Sequence, residues 1–124
     1  MTLSTEDRLN IYELYGKYCQ TRDSGDIGGW LACFSDNAIF ATPMGTFTGL
    51  AEIREYAEKP VDSNRHWVGN IVISEEAENV KGSCYLQLVQ PGTGKILITG
   101  KYRDDLIKTS KGWCFSHREI EIDS

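Results

Sequence analysis

The sequence of 124 residues lacks the features that mark several large classes of protein. Its net charge is −5 and it has no run of basic residues, so it offers no positive surface to nucleic acid. No apolar segment approaches the roughly 20 residues of a membrane-spanning helix, and the N-terminal MTLSTEDRL lacks a basic segment followed by an apolar one. We therefore expect a cytoplasmic protein that binds neither nucleic acid nor membrane.

Closely spaced cysteine and histidine residues are also missing. The four cysteines are widely separated within apolar patterns, and the chain has two histidines, so we expect buried free thiols and no metal site. The sequence contains no phosphate-binding glycine loop, no dinucleotide motif and no G-x-S-x-G segment. It therefore predicts no metal and no organic cofactor.

Apolar residues at helical spacing occupy the first third of the chain. Ser4 begins a capping pattern, and the spacing after it predicts a helix from Thr5 to Arg22. Asp26 predicts the N-cap of a second helix, which contains Trp30. A third helix is expected from Leu50 to Glu58.

The remaining segments have the composition of strands and turns. After a turn at SDN (35–37), the run AIFAT predicts a short strand, and MGT (44–46) predicts a turn before the third helix. From Arg65 onward, SEEAEN, QPGTGK and KTSKG separate four runs and predict three hairpins. The fold class is therefore α+β, a single domain over residues 1–124. A curved antiparallel sheet would wrap around three N-terminal helices as a conical α+β barrel.

Polar residues interrupt the otherwise apolar strand RHWVGNIVI (65–73). Strict alternation places His66 and Asn70 on one face, which we expect to look into a partly polar interior. The other face carries Trp67, Ile71 and Ile73 and is too apolar for water. Together with Trp113 and Phe115 of the last strand, it predicts a homo-oligomer interface on the outer sheet face, a dimer first and a trimer as the alternative.

Arg118 lies among apolar residues of the last strand. A buried guanidinium requires an anionic partner, because leaving one member of a buried pair alone costs roughly 3–5 kcal/mol. Asp23 is a candidate for that partner, and a ligand anion is the alternative.

Several motifs occur in an order that resembles a known family. They are YCQTRD (18–23), LACFSDNAIF (31–40), RHWVGN (65–70), GKYRD (100–104) and GWCFSHR (112–118). Over nearly the whole chain they resemble the SnoaL-like branch of the nuclear transport factor 2-like (NTF2-like) superfamily. The resemblance implies a conical cavity for a small, largely apolar cyclic molecule. Relatives in this branch include scytalone dehydratase, bile acid dehydratase and polyketide cyclases, in which a tyrosine, an aspartate and a histidine do acid–base work without a metal.

Carried over by position, that resemblance makes Tyr18, Asp23 and His66 the catalytic candidates. His66 would move the proton, Asp23 would hold its tautomer or act as the base, and Tyr18 would donate a hydrogen bond to oxyanion charge. A helical step of ~100° per residue places Tyr18 and Asp23 about 140° apart, so both face one cavity only if the helix ends near Arg22.

The remaining site residues are expected to contact the substrate; they are Asn70, Tyr102, Arg118 and Trp30. Two interpretations of the whole site stay open. The chain is either a cofactor-independent lyase or isomerase, or a non-catalytic binding or dimerisation module of the same fold. In the second case, His66 is a core histidine bonded to Asp23, and Tyr18 packs in the core.

Overall fold

Helix α1 spans Thr5–Ser24 in the computed structural model, which describes residues 2–124. The side-chain oxygen of Ser4 accepts a hydrogen bond from the N–H of Asp7, whose carboxylate accepts one from the N–H of Ser4. The helix ends at Gly25, whose φ of 76° is in the left-handed region that glycine tolerates. The predicted cap is confirmed, and the helix continues two residues past the predicted end at Arg22.

Two further helices and six strands follow in chain order. They are α2 Ile27–Leu31, β1 Phe34–Thr42, β2 Gly45–Thr48, α3 Gly49–Glu58, β3 Arg65–Glu76, β4 Asn79–Val89, β5 Ile96–Thr109 and β6 Gly112–Ile122. The strands form one sheet in the order β2-β1-β6-β5-β4-β3, and the β1–β6 pair is parallel. The α+β class and the four-strand meander are confirmed. The sheet curves around the helices without closing, so β2 and β3 remain edges.

The segment between α2 and α3 holds two strands where the sequence predicted one. The expected turn at residues 35–37 lies inside β1, at an irregularity in its pairing with β6 between Phe34 and Ile39. The turn lies at residues 43–44, and β2 begins at Gly45, inside the turn expected at 44–46; β2 pairs with the end of β1. A four-residue strand is too short to show a periodic pattern, so β2 could not be predicted from its residues alone.

A β-bulge reverses the faces of β3. Its register with β4 shifts between Gly69 and Val72, and Asn70 adopts a φ of 56°. One extra residue moves every later side chain to the opposite face. As a result, Asn70 and Val72 are exposed while Ile73 is buried. The prediction that Asn70 shares a face with His66 is therefore wrong.

A second bulge lies between β5 and β6, where the register shifts between Asp105 and Leu106. Because of it, Phe115 and Arg118 both point inward, although strict alternation placed them on opposite faces. Phe115, Trp113 and Ile73 are buried, so their assignment to an outer interface is wrong.

The space between α1 and the sheet is filled by aromatic rings. The fully or almost fully buried members are Tyr15, Tyr18, Trp30, Phe34, Phe40, Tyr102 and Phe115. Edge-to-face contacts dominate, for example 5.3 Å between the ring centroids of Tyr15 and Phe115. This end of the cone is a packed core. No helix within residues 2–124 has both the length and the apolar character needed to cross a bilayer.

Candidate functional site

Asp23 and His66 form the central pair of the candidate site. Oδ1 of Asp23 lies 2.6 Å from the imidazole Nδ1, and the backbone N–H of His66 also donates to the carboxylate, with N···O distances of 3.0 and 3.2 Å. The carboxylate is an acceptor, so Nδ1 carries the proton and Nε2 keeps a lone pair. The imidazole retains 23% exposure, against 8% for the carboxylate. The structure thus brings together two of the three catalytic candidates.

The position of this pair follows from the ends of two elements. Asp23 lies in the last turn of α1, where the helix dipole disfavours a carboxylate. His66 lies at the start of β3, an edge strand, and its N–H points to α1 rather than to a neighbouring strand. The two hydrogen bonds from His66 offset the unfavourable dipole, and they fix the helix end against the sheet edge.

The environment of His66 keeps its imidazole neutral near pH 7. Burial lowers its pKa below the ordinary 6.5, and the hydrogen bond and negative charge of Asp23 oppose this shift without cancelling it. The positive charges of Arg22 and Arg118 lower the pKa further. A neutral imidazole with a free Nε2 is the form that accepts a proton from a substrate.

Tyr18 points away from this pair. Because α1 continues to Ser24, the angular separation of Tyr18 and Asp23 persists, and no hydrogen bond within residues 2–124 joins Tyr18 to Asp23 or His66. Its ring packs against Trp30 and Tyr102, with centroid distances of 5.6 and 5.7 Å. Burial raises the pKa of the hydroxyl, which is therefore protonated and able to donate.

Arg118 pairs with Asp104, and the predicted pairing with Asp23 is wrong. Its Nε lies 3.0 Å from Oδ1 of Asp104 in an ion pair without aligned hydrogen-bond geometry, and neither side chain is exposed. The hydroxyl of Tyr15 donates to Oδ2 of Asp104 at 2.6 Å. The guanidinium carbon lies 3.6 Å from the centroid of Tyr102. Burial lowers the pKa of Arg118, but Asp104 together with the neighbouring Tyr18, Tyr102 and Cys84 outweighs burial, and the pKa is raised.

Asp104 and Tyr15 are the important residues that the sequence analysis missed. Asp104 falls on the same strand face as Tyr102, and Gly82 and Arg118 are its neighbours across the sheet. A Cβ at Gly82 would overlap the hydroxyl of Tyr15, so the glycine leaves the space in which that hydroxyl reaches Asp104. An acidic residue on an inward face was the available signal.

The other predicted contact residues occupy two different environments. Trp30 is 1% exposed and packs 4.9 Å from Phe34, and its Nε1 has no partner within residues 2–124. Tyr102 is also buried, beside Arg118. Asn70 lies on the outer surface, remote from this interior.

An exposed apolar surface adjoins His66 on the inner side of the sheet. Leu88 pairs with both His66 and Ile98, so the three residues form a row across β3, β4 and β5. Ile98 is 37% exposed, and Ile122, beside Gly100 in the next row, is 39% exposed. We call Leu88, Ile98 and Ile122 the rim patch. It places an apolar contact surface next to the imidazole of His66, which is 23% exposed.

A pocket of about 660 Å³ lies on the opposite, outer face of the sheet. Its lining combines both signs of charge, and Lys81 contacts Asp105 at 2.6 Å while Arg103 approaches Glu119 at 3.6 Å. Asn70 also lines it. No three His, Cys, Asp or Glu side chains group as a metal-ligand set in the part of the chain that the structure describes.

The curved sheet with its helices has the cystatin-like, or NTF2-like, fold of solved structures. A protein of unknown function from Nostoc punctiforme is 24% identical, with a TM-score of 0.90 over 99% of this chain and 96% of that one. Rv3472 from Mycobacterium tuberculosis, also of unknown function, is 27% identical, with a TM-score of 0.87 over 97% and 78%. ActVI-ORFA from Streptomyces coelicolor is 20% identical, with a TM-score of 0.81 over 96% and 98%.

The family model of the SnoaL-like domain matches residues 4–119. The chain therefore belongs to the SnoaL-like domain family, as its motifs indicated. No curated protein is significantly similar to it.

Proposed function

We propose that the chain is a cofactor-independent lyase or isomerase of the dehydratase or cyclase type. One observation carries the proposal: a neutral, partly exposed imidazole is held by a carboxylate at 2.6 Å beside an exposed apolar surface. An Asp–His pair suits proton abstraction, because the carboxylate orients the ring and stabilises the imidazolium that forms.

In the proposed reaction, Nε2 of His66 removes a proton from a carbon next to a carbonyl group. The C–H electron pair becomes the C=C bond of an enolate, and the negative charge moves to the carbonyl oxygen. The imidazolium then returns its proton, either to another carbon, which gives an isomer, or to a leaving hydroxyl group, which departs as water. Asp23 stays ionised throughout and holds Nδ1–H.

The buried phenols are the proposed donors to the oxyanion. The ring centroids of Tyr18 and Tyr102 lie 5.7 Å apart. Burial raises the pKa of both hydroxyls, and the positive charge of Arg118 opposes that rise. A donor whose anion is stabilised in this way gives a stronger hydrogen bond to developing charge. Both rings are buried, so the substrate oxygen would reach these hydroxyls only if the core opens toward the rim patch when the substrate binds.

The proposed substrate is a small, largely apolar cyclic molecule. Its ring would lie on Leu88, Ile98 and Ile122, which bring the reacting carbon next to His66. The four cysteines are free and buried, which fits the reducing environment of the cytoplasm.

A second candidate function is a non-catalytic binding or dimerisation module. The packing of Tyr18 and Trp30 in the core favours it, because two predicted site residues are then structural. The outer sheet face, with Trp67, Val72 and Tyr85 exposed between paired charges, is the proposed homodimer interface, and a trimer is the alternative.

Exchange of substrate hydrogen for deuterium tests proton abstraction without knowledge of the natural substrate. The neutral ketones 1-tetralone and 2-tetralone, in D₂O with the full chain, would lose their α-proton NMR signals faster than in buffer. His66→Gln is expected to slow the enzymatic exchange by about 10²–10⁴-fold. The matched control is His117→Gln. His117 is the second histidine of the chain and lies on the outer face, so this change should leave the rate unchanged. Binding of these ketones with no exchange above buffer would favour the binding module.

A further inference from the structure

Arg22 lies directly before Asp23 in the last turn of α1 and is half-buried. Its guanidinium carbon lies 5.3 Å from the ring centroid of Trp30 and 5.1 Å from that of Tyr56. The two rings are stacked on each other with an interplanar angle of 24°. Contact with two fixed rings limits the orientations of the planar cation.

The hydrogen-bonding capacity of this guanidinium is largely unused. Its one side-chain hydrogen bond, from Nη1 to the carbonyl oxygen of Ala57, is long at 3.4 Å, whereas a guanidinium has five N–H donors. No carboxylate lies within ion-pair distance of it in the described chain, since Asp23 is directed to His66. By contrast, Arg118 forms an ion pair with Asp104, and Arg103 forms one with Glu121.

The charge of Arg22 acts at the candidate site. Arg22 directly precedes Asp23, whose carboxylate contacts the imidazole of His66 at 2.6 Å, and its positive charge lowers the pKa of His66. The guanidinium of Arg118 is paired with Asp104 at 3.0 Å, whereas no carboxylate in the described chain is within ion-pair distance of Arg22. Arg22 therefore keeps a cation without a salt bridge, one residue from the partner of the proposed base.

We propose that Arg22 binds a carboxylate group of the substrate beside the Asp23–His66 pair. This inference rests on the proposed function and narrows its substrate class to carboxylic acids that carry an apolar ring. A guanidinium fork matches a planar carboxylate, while the rim patch receives the ring. Arg22 would then determine specificity, with the reacting carbon held between the acid group and the ring.

The alternative is a structural role, in which Arg22 only fastens the end of α1 to α3 through Ala57 and Tyr56. Direct binding of two matched probes distinguishes the roles without any turnover. The carboxylate 2-naphthoate and its neutral analogue 2-naphthamide have similar shapes, so their difference reports recognition of charge. Each is titrated into the labelled full chain, while the Arg22 Nε–H and His66 ring signals are followed by NMR.

We expect saturable shifts of both signals with 2-naphthoate, and about tenfold to hundredfold weaker binding of 2-naphthamide, because a hydrogen bond to a charged group contributes about 1.5–3 kcal/mol. Arg22→Met keeps an apolar stem against the rings and should remove the preference for the acid. Arg22→Lys keeps the positive charge but loses the paired N–H donors of the guanidinium, so it should only partly weaken the preference for the acid. Arg103→Met is the control, since Arg103 is exposed on the outer face.

Equal binding of the two probes, or no shift with the acid, would overturn the proposal. The comparison in the unmodified chain decides the question even if Arg22→Met does not fold, which its amide spectrum would show. Deuterium exchange of the neutral tetralones is independent of this result. Exchange that depends on His66 with no preference for the acid would reject carboxylate recognition and leave the proposed reaction intact.

Discussion

Arg118 and Asp104 pair at 3.0 Å where neither side chain has any exposed surface. The pair lies on neighbouring positions of β5 and β6, below the aromatic rings of Tyr18 and Tyr102. Charges buried this deeply must be compensated, so the pair and the hydroxyl of Tyr15 act as one unit. This unit stabilises the packed core against Tyr18 and Tyr102.

Removing the negative charge of this pair is expected to destabilise the fold severely. Asp104→Asn leaves an uncompensated buried guanidinium, and the free energy of unfolding should fall by roughly 3–5 kcal/mol. Urea unfolding measures this fall in the free energy of unfolding. Asp105→Asn is the control, because its pair with Lys81 is exposed to solvent and contributes little to stability. Equal losses in the two variants would contradict the assigned role of Asp104.

Gly82 is expected to be sensitive to a single added methyl group. Gly82→Ala would push its Cβ into the hydroxyl of Tyr15 and should cost about 1–3 kcal/mol. In the Tyr15→Phe background that oxygen is absent, so the same substitution should cost less. Urea unfolding of the unmodified chain, the two single variants and the double variant gives the coupling between the two positions. Additive losses would show that the two groups do not collide.

The lowered pKa of His66 predicts a defined pH dependence of stability. The unfolded chain binds a proton near pH 6.5 that folded His66 resists. The free energy of unfolding should therefore fall as the pH drops from about 6.5 to the lower folded pKa, and this contribution should be constant above 6.5. His66→Gln should remove that slope. An identical pH profile in both proteins would contradict a lowered pKa.

The outer sheet face is predicted to hold two copies together. Trp67→Asp places a charge among exposed apolar residues of that face, and it should shift the sedimentation coefficient from dimer to monomer. Met44→Gln changes an exposed residue elsewhere and serves as the control. If the unmodified chain sediments as a monomer, the proposed interface is wrong. If it sediments as a trimer, the assembly has threefold and not twofold symmetry.

Local patterns predicted the parts of the fold that depend on short segments. The capping residue Ser4, the break after α1 and the three hairpin turns each act within a few residues, so their types are visible in the sequence. The motif pattern also singled out Asp23 and His66, although they are 43 positions apart in the chain.

The wrong predictions concern positions where the register between strands decides which face of the sheet a side chain occupies. Alternation placed Asn70 inside, but the bulge in β3 turns it outward, and a bulge depends on how two strands and the helices pack. Asp23, just past the predicted end of the first helix, was a candidate partner for Arg118, whereas the actual partner, Asp104, is set by the pairing of β5 with β6. A one-residue shift has no marker in the local sequence.

The most direct test of the central claim is the pKa of His66 in the unmodified chain and in Asp23→Asn, measured by NMR titration of the ring signals. Asp26→Asn is the matched control, because asparagine caps a helix as well as aspartate and Asp26 caps α2. We predict a pKa below 6.5 in the unmodified chain and in the control, and a value lower by about 1 or more in Asp23→Asn. An unchanged or raised pKa in Asp23→Asn would mean that the carboxylate does not act on the imidazole, and the acid–base account would be wrong.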